Sequence, residues 1–263
     1  MTTSWSRVRR SAFVLGAIVA FYPFVCAMSE GEAKAQTGSA ANHSRAQQAR
    51  IEPWSEQLFA QVKKEYGAEA EARFRMIHDT ALANLSRPVR EQLEIVNATF
   101  NQLSWVSDRE LWGREDYWAA PFEIIAKAGG DCEDMAIAKY VMLKMMGVPA
   151  HNLYLGYARL KTRNEAHMVL VWANDARNDV RILDNFDPEV KPAKARMDLQ
   201  IVYLNDAEGR VILIDDNGKT RRIKSELGPR KMEKLEELKK KIVETRLKYQ
   251  AYNEGRPLFP EAR

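Results

Sequence analysis

One short stretch, Gly129-Gly130-Asp131-Cys132-Glu133-Asp134, concentrates most of the chemistry visible in this 263-residue chain. It places a thiol at the start of a long apolar helical pattern. A helix N-terminus stabilises an anion through its free N–H groups and dipole, which favours a thiolate. The two glycines allow a sharp turn and a close approach of backbone to a substrate. The three carboxylates Asp131, Glu133 and Asp134 act in the opposite sense, because like charge raises a thiol pKa. Either Cys132 is an inert, buried residue or a cation offsets the carboxylates. Three oxygen ligands within four residues suit calcium, although acids also gather in first helical turns for dipole reasons alone.

A thiol that acts as a nucleophile needs a base, and the chain has four histidines. His43 falls in a polar stretch, His78 on a helical pattern and His151 in a loop after Pro149. His167 alone falls in a strand whose neighbour carries an acid. If strands 166–173 and 178–186 form a hairpin around a four-residue loop, Asn174 to Arg177, Ala173 pairs with Asn178 and His167 stands opposite Asp184. Directly opposed residues share a face with Cβ atoms about 4.5–5.5 Å apart. A loop one residue longer or shorter would bring Asn185 there instead. Cysteine, histidine and an orienting acid are the parts of a thiol acyl-transfer site.

The elements that must position these groups follow from periodicity. Residues 51–103 read as helical, with Ser86 and Pro88 starting a helix that carries Val89, Leu93, Val96 and Phe100 at helical spacing. A helix from Pro121 to Ala128 stops at Gly129-Gly130. Another runs from Cys132 to Met146 and stops at Gly147 with Pro149 beyond; its apolar residues go nearly all round, the mark of a buried helix. Strand patterns follow at 153–160, 166–173, 180–186, 199–204 and 210–215, separated by turn signals at Asn174-Asp175, Ala207-Glu208-Gly209 and Asn217-Gly218. From Pro229 to Tyr252 the chain is a charged helix, with Leu235, Leu238, Ile242, Tyr249 and Tyr252 to pack on the domain surface or on a partner. Helices first and an antiparallel sheet afterwards predict an α+β fold.

The N-terminus reads as an address. Arg7, Arg9 and Arg10 precede an almost unbroken apolar run from Ser11 to Met28, and Ala33-Lys34-Ala35 offers a small-x-small cleavage site, so residues 1–35 are expected to be a secretory signal peptide. The alternative is an uncleaved anchor, for which the stretch is near the minimum length. Val25 before Cys26 argues against a lipoprotein site. Cleavage would remove Cys26 and leave Cys132 as the one thiol, without a disulfide partner. Residues 36–50 (QTGSAANHSRAQQAR) read as a flexible linker. With 46% hydrophobic residues, and 40 basic residues offset by 36 acidic ones, neither overall disorder nor nucleic-acid binding is indicated. A mean hydropathy of −0.44 excludes a multi-span membrane protein.

The stretch from Trp112 to Pro149 (WGREDYWAAPFEIIAKAGGDCEDMAIAKYVMLKMMGVP), continued by Ala166-His167-Met168-Val169 and Leu183-Asp184-Asn185, resembles the bacterial transglutaminase-like cysteine proteases. Among these it is most similar to the LapG-type periplasmic proteases that release large biofilm adhesins. The likeness covers roughly residues 86–205. It implies a papain-like, transglutaminase-like core; the domain is read as 51–217, with a helical lobe at 51–103 and a catalytic core at 104–217. The charged helix in 218–263 lies outside the match, its role open. The likeness further implies Cys132 as nucleophile, His167 as general base and acid, Asp184 as orienter, and calcium on Asp131, Glu133 and Asp134. The expected substrate is a secreted repeat adhesin, cut near an N-terminal Ala-Ala pair. The expected inhibitor is the periplasmic domain of an inner-membrane cyclic-di-GMP receptor, with membrane contact only through the signal segment. Trp118-Ala119-Ala120-Pro121 departs slightly from the family's Trp-Ala-Thr-Pro. Two other readings stay open: an acyl transferase of the transglutaminase type, and a calcium-binding adaptor whose thiol is inert.

Overall fold

The structure, a computed structural model, describes residues 52–174, 178–214, 220–256 and 258. The expected signal peptide and linker, and the turn at Asn217-Gly218, lie outside the described residues. Among those described, seven α-helices and nine strands follow one another in the order α1 (Glu56–Tyr66), α2 (Ala68–Ala83), α3 (Val89–Phe100), β1 (Ser104–Trp105), α4 (Asp108–Trp112), α5 (Pro121–Lys127), β2 (Gly129–Gly130), α6 (Cys132–Met145), β3 (Leu153–Leu160), β4 (Glu165–Asn174), β5 (Asp179–Leu183), β6 (Lys191–Pro192), β7 (Leu199–Asn205), β8 (Arg210–Ile214), β9 (Thr220–Glu226) and α7 (Pro229–Gln250). The α+β arrangement expected from the sequence is the one found. None of the described helices is long and apolar enough to cross a membrane.

Local chemistry explains where the helices begin and end. The Ser55 hydroxyl accepts the Leu58 N–H at 3.2 Å and caps α1, and Pro88, whose φ is fixed, opens α3. Helix α5 starts with Pro121 at its first position, where the Glu123 carboxylate accepts the Ala120 N–H at 2.7 Å. It ends at Ala128, held in the left-handed conformation with φ +61°. Helix α6 buries nine of its 14 residues, among them Met135, Ile137, Met142 and Leu143. Each fully buried side chain of this size contributes about 1.5–3 kcal/mol, so the helix that carries Cys132 is held by packing along most of its length.

The large sheet has seven strands in the order β6-β5-β4-β3-β7-β8-β9, every neighbouring pair antiparallel. Alternation along β4 divides its side chains between two cores. Met168, Leu170 and Trp172 join the core shared with the helices, whereas Val169, Val171 and Ala173 join a second cluster with Ala158, Val180 and Ile182. The β7–β8 connection turns at Gly209, where φ is +77° and an added Cβ would lie 2.5 Å from the Met232 sulfur. Strand β9 and the short parallel pair β1–β2 were not expected, since neither shows a hydrophobic alternation of useful length.

Helix α7 is part of the domain's core. Leu235, Leu238 and Tyr249 are buried, and the Tyr249 ring stacks on Phe122 of α5 with centroids 4.4 Å apart. The segment after it returns to the start of α1, where the Asn253 side chain accepts the Ser55 N–H at 2.8 Å. The charged helix foreseen at 229–252 therefore packs on the domain, with α5 as its main aromatic contact.

Candidate functional site

Cys132 opens α6 directly after β2. Gly129 and Gly130 pair in parallel with Ser104 and Trp105, and Gly130 fits because it has no side chain: a Cβ there would stand 2.8 Å from Asp134 Oδ2 and 3.0 Å from Ile124. The Asp134 carboxylate, fully buried, accepts the Ala119 N–H at 2.7 Å and the Asp131 N–H at 3.4 Å. It thus ties the Trp118–Ala120 loop to the turn that carries the thiol. The thiol donates to Glu133 Oε2 at 3.0 Å. Burial pushes its pKa well above the ordinary thiol value, the charges of Glu133 and Asp131 push the same way, and the Met168 N–H, which reaches the sulfur, opposes them. Strand β5 pairs with β4 only from Leu170 onward, which leaves the β4 edge beside Met168 open to Cys132.

His167 precedes Met168 and is buried, 2% exposed. Its Nε2 lies 2.7 Å from Asp184 Oδ1, and its ring stacks on Phe186, centroids 4.8 Å apart and planes within 7°. Burial alone would raise the Asp184 pKa. Its contacts with His167, the Phe186 N–H and Arg196 overcome this and hold it at about 2. Asp184 is therefore an ionised acceptor, Nε2 carries the proton, and Nδ1 is the basic nitrogen of the neutral ring.

The hairpin register differs from the expected one. Leu170 pairs with Leu183 and Asn174 with Asp179, a shift of two residues, so the residue in line with His167 is Phe186, beyond the end of β5. A shift of two leaves every side chain on its original face, and Asp184 reaches His167 diagonally from the turn where the strand has ended. The Asn185 Oδ1 is buried without a hydrogen-bond partner among the described residues.

The Asp184 turn is anchored on two sides. Arg196, buried at 5% exposure, donates from Nη2 to Asp184 Oδ2 at 2.7 Å and grips Asp198 through Nε at 2.9 Å and Nη2 at 2.7 Å. From α6, the fully buried Lys139 ammonium donates to Asn97 Oδ1 at 2.8 Å and Asn101 Oδ1 at 2.7 Å. Asn101 in turn donates to the Asp184 carbonyl at 2.9 Å. Burial lowers the Lys139 pKa to about 7, against the pull of Asp184. Lys139 lies two helical turns from Cys132, so one face of α6 meets both the thiol's surroundings and the acid's turn.

The three carboxylates beside Cys132 have company that the sequence did not announce. Asp108, at the start of α4, groups with Asp131 and Asp134, and also with Asp116 and Glu133, each group having ligand atoms within 4.8 Å of one another. Asp108 Oδ1 and Asp131 Oδ1 are buried and without hydrogen-bond partners among the described residues. Burial followed by the neighbouring charges raises Asp131 to about 10 and Asp134 to about 8. Asp108 reaches about 6, burial again leading, with the Tyr117 N–H opposing. Unpartnered buried carboxylate oxygens converging in this way fit a hard divalent cation. Helix α7 fastens the loop that brings Asp116: the Lys234 ammonium donates to the Asp116 carbonyl and the Lys241 ammonium to the Trp118 carbonyl.

A buried imidazole oriented by a carboxylate, next in sequence to the residue whose N–H faces a thiol at a helix start, has the parts for acyl transfer. The comparisons agree with this chemistry. Residues 46–203 match the family model of the bacterial transglutaminase-like cysteine proteinase BTLCP. Among solved structures the chain is similar to Legionella pneumophila LapG, at 33% identity and a TM-score of 0.57, over 72% of this chain and 99% of that one. The calcium-bound form of that protein matches at 33% identity and a TM-score of 0.57, over 70% of this chain and 96% of that one. The EGTA-treated form matches at 33% and 0.58, over 72% and 99%. No curated protein matches.

Proposed function

The chain belongs to the bacterial transglutaminase-like cysteine proteinases, and from that premise we propose a calcium-dependent endopeptidase with Cys132 as nucleophile, His167 as general base and acid, and Asp184 as the carboxylate that orients the imidazole. The observation that carries this reading is the 2.7 Å contact between His167 Nε2 and Asp184 Oδ1, one residue from the Met168 N–H at the thiol. With Nε2 committed to Asp184, Nδ1 takes the thiol proton. The thiolate attacks the scissile carbonyl, and N–H groups at the start of α6 stabilise the oxyanion. His167 then protonates the leaving amine, and water, deprotonated by the same ring, resolves the thioester.

In this reading calcium is held by Asp131, Glu133 and Asp134, joined by Asp108 and Asp116. The buried, unpartnered oxygens of Asp108 and Asp131 support it, as does a relative described as calcium-bound. Bound there, calcium supplies positive charge that offsets the carboxylates around the thiol. The thiol otherwise shares its proton with Glu133 and sits at a raised pKa, so charge compensation is what the thiolate requires.

The substrate we propose is the N-terminal region of a large surface adhesin, cut at an Ala-Ala pair, with release of the adhesin controlling biofilm attachment. We place the reaction in the periplasm, reached through residues 1–35, with the periplasmic domain of a cyclic-di-GMP receptor as inhibitor. These assignments rest on the family likeness of Trp112–Pro149. The test is incubation of the full chain with the recombinant N-terminal region of such an adhesin, in calcium and in EGTA. Cutting at one site that requires calcium and disappears in Cys132→Ala is the expected result. Cutting that survives Cys132→Ala, or no cutting in either condition, overturns the reading. Incorporation of a primary amine in place of hydrolysis would redirect it to acyl transfer.

A further inference from the structure

Asp184 presents two oxygens, and the structure assigns each a task. Oδ1 accepts from His167 Nε2 at 2.7 Å and from the Phe186 N–H at 2.9 Å. Oδ2 accepts from Arg196 Nη2 at 2.7 Å. A carboxylate rotates readily about its Cβ–Cγ bond unless both ends are held, and rotation here would replace the oxygen that His167 meets. The guanidinium is itself held in place. Nε and Nη2 engage the two oxygens of Asp198 at 2.9 and 2.7 Å, which fixes the plane of the fork before it reaches Asp184.

We propose that Arg196 is a positioning residue for the reaction, locking the rotation of the Asp184 carboxylate so that one oxygen is presented to His167. This rests on the proposed role of His167 as base. Arg196 is 5% exposed and bonds to the Asp184 oxygen that His167 does not use, so it acts on the chemistry through the acid. An ion pair serving only the β6–β7 connection would be complete with Asp198, which already fills the fork. The third contact, to the oxygen that His167 does not use, is the one a structural role leaves unexplained. A lysine would keep the charge but lose the two-pronged grip that holds the geometry.

The charged groups bearing on the His167–Asp184 pair are Lys139 of α6, Arg196 with Asp198 and Asp187 beyond the turn, and Arg163, which lies over the Phe186 ring.

The experiment compares full-chain wild type, Arg196→Met, Arg196→Lys and Asp198→Asn by two independent readouts. The first is steady-state cleavage of the adhesin N-terminal region in calcium. Arg196→Met is expected to lower kcat by roughly ten- to a hundredfold with KM within twofold, as loss of an outer-shell partner does, with Arg196→Lys recovering part of the loss. The second is 15N NMR of the His167 ring, which needs no activity. Wild type is expected to hold its proton on Nε2, while Arg196→Met mixes the two tautomers. Wild-type kcat and an unchanged His167 spectrum in Arg196→Met would overturn the proposal. If Arg196→Met does not fold, Arg196→Lys and Asp198→Asn decide by the same criteria. A wild type that cleaves nothing, with the NMR differences present, would refute the proposed function while the positioning role stands.

Discussion

At the scale of single residues, the site is a contest between charges that favour a thiolate and charges that oppose it. Asp184, held at about 2, stays ionised throughout the working range, so His167 keeps one tautomer. Asp184→Asn should therefore leave the fold intact while kcat falls by about 10²–10⁴, the loss typical when an orienting acid becomes an amide. Far-UV dichroism and single-turnover cleavage check the two halves of that expectation. Lys139 makes a different prediction. Its ammonium satisfies Asn97 and Asn101 inside the core, so Lys139→Met should cost about 1–3 kcal/mol through stranded carbonyl oxygens. Urea titration measures this, and an unchanged midpoint would show that the asparagines find other partners. Of these residues the sequence offered Cys132, His167 and Asp184 as a set, because a thiol at a helix start and a histidine in a paired strand are local patterns. Lys139 and Arg196 were invisible. A lysine in an apolar helix reads as a solvated position until the asparagines of α3 close over it, and Arg196 acquires meaning only from the turn that delivers Asp184.

At the scale of elements, precision comes from the tight meeting of β2, α5 and α6. A Cβ on Gly130 would stand 2.8 Å from Asp134 Oδ2 and 2.9 Å from its Cβ, and neither atom belongs to a flexible chain end. Gly130→Ala should thus displace the start of α6, costing roughly 1–3 kcal/mol as overpacking does and slowing cleavage as well, measured by denaturant unfolding and by rate on the same preparation. Wild-type values of both would mean that the turn can yield without moving the thiol. Element boundaries were largely readable: α5 and α6 lie within a residue of their expected ends, because Pro121, Ala128, Gly129 and Gly147 act within a turn of chain. The β4–β5 register was read two residues off, since β4 pairs one residue further, to Asn174, and the four-residue loop moves along with it, while the acid left the strand before its partner position. The carboxylate cluster was half legible for a similar reason. Asp131, Glu133 and Asp134 are adjacent in sequence, while Asp108 and Asp116 arrive from another helix and its following loop.

For the whole molecule, the cluster makes stability depend on pH and cation together. Asp108, Asp131 and Asp134 have raised pKa values of about 6, 10 and 8, so their contribution to stability is complete below the unfolded value near 4 and is lost as pH rises through the folded ones. Asp184 behaves oppositely, its contribution being lost only as pH falls toward 2. In EGTA the melting temperature should decline from about pH 4 to about pH 6, below the range where Lys139, lowered to about 7, begins to titrate. Calcium should raise the melting temperature and flatten the decline, because a ligand that binds the native state alone stabilises it. Differential scanning calorimetry in both conditions checks this, and parallel curves would argue that no cation binds the cluster. The division of the site between two layers has a further consequence. Cys132 belongs to the helical layer, while His167 and Asp184 belong to the sheet, and the loop at 147–152 is the covalent link between them. Function is thus a property of an internal seam, and pressure or mild denaturant that slides the layers apart should silence the enzyme while its helices and strands remain formed.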